Sequence, residues 1–122
     1  MLKLSPLAHT WIFDVDGTIV KHNGFKIDGK DTLLEGVKEF FASLPKQDKV
    51  VFLTSRTTEQ VEDLKTFLNE NSIRYDVIIA NMPMGERILI NDDKPGGLTC
   101  CYSVRKKRDL SLNIDYIIDT NI

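Results

Sequence analysis

The sequence contains few residues that could crosslink the chain or bind zinc. Its two cysteines, Cys100 and Cys101, are adjacent, and neighbouring cysteines do not form an ordinary disulfide. Its two histidines, His9 and His22, share no metal-ligand spacing with these cysteines. We therefore expect no disulfide framework and no zinc site. The cysteines are interpreted as small strand residues of a protein in the reducing cytoplasm.

Long apolar runs and nucleotide-binding glycine loops are also absent. No stretch is long and apolar enough to span a bilayer, and residues 1–10 lack the charged-then-apolar layout of a signal peptide. No glycine-rich loop of the P-loop or dinucleotide type occurs. The formal net charge of −2 gives no indication of a nucleic-acid or membrane partner.

The sequence does contain one basic run, which is formed by Arg105, Lys106, Lys107 and Arg108. A run of this kind favours a solvated turn. Contact with an anionic substrate or with a neighbouring subunit is the alternative interpretation.

The length of 122 residues, with 42% hydrophobic and 28% charged residues, predicts a single compact globular domain over residues 1–122. Apolar runs predict buried strands, and apolar residues at helical spacing predict two helices, the first capped by Asp31 or Thr32 and the second by Thr57 or Thr58. The first predicted helix covers residues 31–44, and residues 19–27 are predicted to form a small hairpin. The predicted strands are residues 11–13, 50–53, 77–79 and 88–90, with further strands at 98–104 and 114–118. The alternation predicts an α/β fold with a parallel sheet and helices on both faces.

Polar side chains follow three of the predicted strands at the point where each strand ends. The three groups are Asp14 with Asp16, Thr54 with Ser55, and Asp92 with Asp93. The carboxyl ends of parallel strands meet at the same edge of a sheet, which is where ligands bind in open α/β sheets. We therefore expect the three groups to converge.

The Asp14 and Asp16 pair indicates a cation or a catalytic role, because two carboxylates at one strand end repel each other. Gly17 permits a tight turn or the close approach of a ligand to the backbone. A simple turn at the end of the strand is the alternative, since Asp and Gly are common in turns. A calcium loop does not fit, because its glycine belongs at the sixth position and no closing glutamate follows.

The segment Phe13-Asp14-Val15-Asp16-Gly17-Thr18 resembles the first motif of the haloacid dehalogenase (HAD) superfamily. Thr54 after its strand resembles the second motif, and Asp92-Asp93 resembles the fourth, so the order matches over residues 10–95. The resemblance implies a three-layer Rossmann-like sheet without a cap domain. It also implies a magnesium-dependent phosphatase.

The resemblance further implies a role for each motif residue. Asp14 would be the nucleophile that forms an aspartyl-phosphate, and Asp16 would be the general acid and base. Mg²⁺ would be bound by the Asp14 carboxylate, the Asp16 backbone carbonyl and Asp92. Thr54 and Ser55 would bind the substrate phosphate. Asp93 would either support these ligands or act as a turn residue.

The basic residue of the third motif is not obvious in this sequence. Arg87, just before the predicted strand 88–90, is the choice for balancing the phosphoryl charge, because a guanidinium matches a phosphate well. An exposed charge at a strand edge is an equally supported reading of Arg87. Arg56 and Lys94 are the alternatives.

The spacing of the motifs leaves no room for a cap domain, since Thr54 lies 40 residues after Asp14 and Asp92 lies 38 residues after Thr54. We therefore expect an open site or one that another subunit closes, and a homo-oligomer. The segment 88–95 resembles small bacterial HAD proteins linked to surface-sugar biosynthesis, which favours a sugar phosphate as substrate. The alternatives are a 5′-nucleotide phosphatase, with Phe25 as a base-stacking residue, and a non-catalytic phosphate-binding module.

Overall fold

The computed structural model describes all 122 residues and is a mixed α/β structure with two small, open, parallel sheets. None of its helices combines the length and the apolar character needed to cross a membrane. The elements in chain order are β1 (Leu2–Leu4), β2 (Thr10–Asp14), α1 (Gly24–Ile27), α2 (Val37–Ser43), β3 (Lys49–Leu53), α3 (Thr58–Glu70), β4 (Val77–Ile79) and β5 (Tyr116–Ile118).

The central sheet consists of the parallel strands β2, β3 and β4 in that order. Phe13, Phe52 and Ile78 share one row of its register, and the first two are buried in the core together with side chains of α2 and α3. The neighbouring row faces the other way, and there Ile12 is 50% and Val77 46% exposed. The parallel sheet is as predicted, whereas a second helical layer on its other face is not confirmed.

An aromatic cluster holds α2 against the sheet. The ring of Phe41 lies 5.0 Å from that of Phe13 and 5.7 Å from that of Phe52, between centroids. Aromatic pairs in tilted or edge-to-face arrangements add about 0.5–1.5 kcal/mol each beyond their area of burial. At the margin of the cluster Trp11 donates from Nε1 to Asp48 over 3.0 Å, which satisfies the indole N–H. The core therefore fixes β2, whose last residue begins the predicted site.

Helix α3 begins where the sequence predicts. The Thr57 hydroxyl accepts a hydrogen bond from the Gln60 N–H, and the Gln60 side chain accepts one from the Thr57 N–H. This capping box satisfies two donors that the first turn of a helix would otherwise leave unpaired. Val61, Leu64 and Leu68 form the buried face of the helix.

Helix α2 begins at Val37, so the predicted helical start at residue 31 is wrong. The preceding residues stay extended because their backbone bonds to another segment, as where the Leu34 N–H donates to the Ile19 carbonyl over 3.0 Å. Asp31 and Thr32 therefore do not cap the helix. Tertiary pairing has overridden a local helical pattern.

Residues 19–27 do not form the predicted hairpin. Val20 makes an antiparallel bridge to the more distant Leu33, and the chain then enters the single helical turn α1 through Asn23, which has a left-handed φ of 55°. Val20 therefore pairs with a distant residue and not with one inside 19–27.

The predicted strands at residues 88–90 and 98–104 are absent, since neither segment has regular secondary structure. Ile88 is 80% and Ile90 86% exposed, so the run is not part of the core. A run of three apolar residues fixes a strand only where a partner edge receives it. The outer edge of β2 is open, and residues 88–90 do not pair with it.

The last predicted strand, residues 114–118, is confirmed in part as β5. It pairs in parallel with β1, which the sequence analysis did not predict. Cys100 and Cys101 are free thiols outside any strand, so their expected strand placement is wrong and the expected absence of a disulfide between them holds.

The turn before α2 depends on Gly36. Its φ is 84°, and a Cβ at this position would collide with the backbone carbonyl of Leu112. Gly29 also has a positive φ, of 74°, but has nothing within 4 Å of the equivalent position.

We expect Gly29→Ala to lower the free energy of unfolding by about 1 kcal/mol for the left-handed backbone alone. Gly36→Ala should cost at least about 1 kcal/mol more, because Leu112 must move.

Chemical denaturation of the two variants measures this difference directly. Equal losses for Gly29→Ala and Gly36→Ala would show that residues 111–114 do not pack against the start of α2.

Candidate active site

Asp14 is the last residue of β2, at the carboxyl end of the parallel sheet. The Thr18 hydroxyl donates to its Oδ2 over 3.1 Å, and Arg87 Nη1 donates to its Oδ1 over 2.9 Å. The side chain is nevertheless 41% exposed, so the carboxylate can be reached from solvent. An accessible carboxylate beside a guanidinium can either bind a cation or attack an electrophile.

The loop after Asp14 folds back on Val15, whose carbonyl accepts hydrogen bonds from the N–H groups of Thr18, Ile19 and Val20. Gly17 stands in this loop with a φ of 86°, a conformation that favours glycine. The tight loop places Asp14 and Thr18 side by side.

The basic run of the sequence packs against this loop. The Gly17 carbonyl accepts hydrogen bonds from Lys106 Nζ over 3.1 Å and from the Asp109 N–H over 2.9 Å, and the Arg108 side chain covers Gly17. Burial lowers the pKa of Lys106, although Asp109 opposes the shift. Arg105, Lys107 and Arg108 are exposed, as a solvated turn predicts, whereas Lys106 is half-buried.

Asp16 forms an ion pair with Arg56. Arg56 Nε donates to Asp16 Oδ2 over 3.1 Å, and Nη2 donates to Oδ1 over 2.7 Å. The other side of the same guanidinium binds Asp31, with Nη1 donating to Oδ2 over 3.0 Å and Nη2 to Oδ1 over 2.7 Å. One arginine therefore joins two carboxylates, each through two hydrogen bonds.

This group of three charges is largely buried. The exposed fraction of the side chain is 2% for Arg56, 3% for Asp31 and 16% for Asp16. Burial by itself lowers the pKa of Arg56, but the hydrogen bonds to Asp31 and Asp16 outweigh it, and the pKa is raised. The guanidinium also lies 3.9 Å from the centroid of the Phe25 ring, within the range of a cation–π contact. Arg56 is therefore a fixed positive charge.

Thr54 and Ser55 follow β3, beside the end of β2, as predicted. Thr54 is 1% exposed, and its Oγ1 accepts a hydrogen bond from the Arg56 N–H over 3.1 Å. Ser55 is exposed. The structure thus brings Asp14, Asp16 and Thr54 to one edge of the sheet.

Of the three basic candidates, Arg87 is the one that contacts Asp14. Each nitrogen of Arg56 is instead used by Asp16 or Asp31, and Lys94 is an exposed residue of an irregular segment. Arg87 is exposed, as the alternative reading expects, but it lies at no strand edge, because the predicted strand 88–90 is absent.

Asp92 and Asp93 do not join this group. Both are exposed, and Asp93 Oδ1 accepts from the Cys100 N–H over 3.1 Å. No three carboxylate, histidine or cysteine side chains in the structure come together in a way that could hold a metal ion. The predicted convergence therefore holds for the first two motif positions and not for the third, because the strand that would have carried Asp92 is absent.

Two of the three oxygen ligands expected for Mg²⁺ are free to bind an ion. The Asp14 carboxylate is accessible, and the Asp16 backbone carbonyl accepts no hydrogen bond from the chain. These two oxygens suit magnesium, which prefers oxygen ligands and keeps several waters. Asp92, the third expected ligand, is exposed in a segment without regular secondary structure.

Three residues of the site were missed or assigned otherwise from sequence. Asp31 was assigned to a helix cap, Phe25 to base stacking, and Thr18 had no role of its own. The signal for Thr18 was its place directly after the Asp-Gly turn. Nothing in the sequence pairs Asp31 with Arg56, because 25 residues separate them.

One surface groove lies away from this site. It has a volume of about 450 Å³ and is lined by α2 and residues 111–114, among them Glu35, Glu39 and Leu112. Carboxylates at its margin do not suit a phosphorylated ligand, and none of the predicted site residues lines it.

In comparisons with known proteins, no family model, no curated protein and no solved structure matched this chain.

The two ion pairs of the site should differ in their effect on stability. Arg87→Met removes a pair between side chains that are 38% and 41% exposed, and we expect a change of about 0.5 kcal/mol or less. Asp31→Asn places an amide against the buried guanidinium, and we expect a loss of about 2 kcal/mol. Asp28→Asn makes the same chemical change at an exposed pair with Lys21 and serves as the control.

Urea denaturation of the three variants tests the contrast. A loss for Asp31→Asn no larger than that for Asp28→Asn would show that the Arg56–Asp31 pair is not buried in solution.

Proposed function

We propose that this protein is a phosphomonoester hydrolase of the HAD superfamily that acts through an aspartyl-phosphate on Asp14. The observation that carries the proposal is the accessible Asp14 carboxylate at the carboxyl end of β2, held by Thr18 on one oxygen and by Arg87 on the other. Asp16 follows two residues later in a fixed position. The motif resemblance and this geometry support the same assignment.

In the proposed reaction an oxygen of Asp14 attacks phosphorus, and the bond between phosphorus and the ester oxygen breaks. Asp16, which is an ionised partner of Arg56 in the structure, first takes up a proton from solvent and then gives it to the departing alcohol. Water then attacks the phosphorus of the aspartyl-phosphate, Asp16 takes the proton from that water, and inorganic phosphate leaves with Asp14 restored.

The positive charges around Asp14 support an anionic substrate. Arg87 pairs with Asp14 itself, and Lys106 and Arg108 lie against the next turn of the loop at Gly17. We propose that Arg87 transfers its hydrogen bond from Asp14 to the phosphoryl group of the bound substrate. The hydroxyl of Thr54 and that of Ser55 complete the phosphate site in this proposal.

We also propose that the reaction depends on Mg²⁺, bound by the Asp14 carboxylate and the Asp16 carbonyl. The ion would lower the repulsion between the carboxylate and the phosphate dianion. Asp92 would have to approach from its exposed segment to complete the set of ligands.

The finer assignment of the fold belongs to the same proposal. The parallel order β2-β3-β4, with helices in the connections, supports a capless HAD-like domain of the three-layer Rossmann-like type. The intervals between the motif residues hold only short helices and strands. The free thiols Cys100 and Cys101 support a reducing compartment, and we place the enzyme in the cytoplasm.

The favoured substrate is a sugar phosphate of surface-polysaccharide biosynthesis. The 5′-nucleotide alternative depended on stacking against Phe25, and one face of that ring is already covered by Arg56. A panel of sugar phosphates and nucleotides separates the two substrate classes, and a preference for nucleotides would overturn the choice.

Asp14→Asn should abolish the activity. The amide keeps the shape of the side chain but loses its charge and nucleophilicity, and we expect turnover of p-nitrophenyl phosphate with Mg²⁺ to fall at least about 1,000-fold. Asp28→Asn, at the exposed pair with Lys21, is the matched control and should keep wild-type activity. Phosphate binding without turnover by the wild type would favour the non-catalytic module instead.

Asp92→Asn should weaken Mg²⁺ binding about tenfold, because an anionic ligand is lost. Asp93→Asn is the control, since that carboxylate accepts a hydrogen bond from the Cys100 N–H. Titration calorimetry with MgCl₂ measures both affinities without requiring turnover. Unchanged binding by Asp92→Asn would remove Asp92 from the ligand set, and weakened binding by Asp93→Asn would transfer the role.

We further propose that the protein self-associates through the uncovered face of the central sheet, where Ile12, Val77 and Ile79 are between 39% and 50% exposed. Light scattering should give a mass above that of one chain, and Ile12→Glu should shift it toward the monomer. Ile27→Glu, at a 70% exposed residue of α1, should not. A wild-type monomer at assay concentration would rule out closure of the site by a second subunit.

A further inference from the structure

We propose that Arg56 is a positioning residue that holds the Asp16 carboxylate in its reactive orientation, with Asp31 anchoring the arginine from behind. The inference rests on the proposed function, in which Asp16 is the general acid and base. It gives Arg56 a role other than the phosphate contact that its place after Thr54 suggests.

The hydrogen bonds between Arg56 and Asp16 fix the orientation of the Asp16 carboxylate as well as its distance from the guanidinium. Nε and Nη2 of Arg56 donate to the two different oxygens of Asp16, at 3.1 and 2.7 Å. Two parallel bonds between planar groups set the plane of the carboxylate as well as its position. Each Asp16 oxygen keeps a second lone pair for proton transfer.

Asp31 keeps the arginine itself from turning. It accepts hydrogen bonds from Nη1 and Nη2 over 3.0 and 2.7 Å, and its side chain is 3% exposed. Phe25 closes one face of the guanidinium at 3.9 Å from the ring centroid. The arginine is thus held on its two edges by carboxylates and on one face by a ring, and turning away from Asp16 would also break its hydrogen bonds to the buried Asp31.

A phosphate contact by Arg56 does not agree with these bonds. Every nitrogen of the guanidinium already donates to Asp16 or Asp31, and the side chain is 2% exposed. Arg87 is 38% exposed and has one hydrogen-bond partner, Asp14. We therefore assign Arg87 to contact with the substrate phosphate and Arg56 to contact with the Asp16 carboxylate.

Arg56→Lys tests the role, because a lysine keeps the charge but cannot form the fork. We expect kcat for p-nitrophenyl phosphate to fall about 100-fold with no rise in KM, since a misplaced acid–base group slows the chemistry and not substrate binding. Rapid quench should show phosphoenzyme accumulating, because the base that activates water against the aspartyl-phosphate is misplaced. A rise in KM with kcat unchanged would instead assign Arg56 to substrate binding.

Arg74→Lys is the matched control for a purely structural effect. Arg74 donates to the backbone carbonyls of Pro45, Lys46 and Asp48, away from the motif residues. This variant should lose stability with kcat and phosphoenzyme level unchanged. If Arg74→Lys and Arg56→Lys changed kcat equally at equal stability loss, the positioning role would be refuted.

A second measurement does not depend on phosphatase activity. Three-bond couplings to the Asp16 carboxyl carbon report its χ1 rotamer by NMR. We expect one rotamer in the wild type and averaging among rotamers in Arg56→Lys and Asp31→Asn. An inactive wild type with this pattern would overturn the proposed function alone, and a single rotamer in all three proteins would overturn the positioning role alone.

Discussion

The buried guanidinium of Arg56, shared between Asp16 and Asp31, is the interaction on which the site depends. It joins the loop after β2, the extended segment before α2 and the turn that leads into α3. None of these segments belongs to a regular helix or strand. A charge that cannot remain unpaired in the protein interior brings them to one place.

This interaction also explains the difference in burial between the two acidic residues of the site. Asp14 has its side chain 41% exposed and contacts Arg87, which is itself accessible. Asp16 is 16% exposed and is tied to an arginine that solvent hardly reaches. Neighbouring carboxylates with unlike surroundings can take unlike chemical roles, and here the accessible one is the candidate nucleophile.

The parts of the structure that could be predicted are those with a local signal. The strand before Asp14, the strand before Thr54 and the capping box of α3 each follow from a short pattern of apolar and polar residues. Asp14, Asp16 and Thr54 meet because parallel strands end at the same edge. Errors occurred where a distant partner decided the outcome. Asp31 lies outside the helix and pairs with Arg56, and residues 88–90 do not pair with the open edge of β2.

The hydrogen bonds to the Gly17 carbonyl have a consequence for the order of folding. They come from Lys106 and Asp109, about ninety positions further along the chain, whereas the strands β2 and β3 that carry the motif residues lie within the first half. Closing so long a loop costs entropy before any contact compensates for it. During synthesis the sheet can therefore form well before the turn at Gly17 is covered. The candidate nucleophile is then solvent-exposed on a nascent chain in which the loop after β2 still lacks its last contacts.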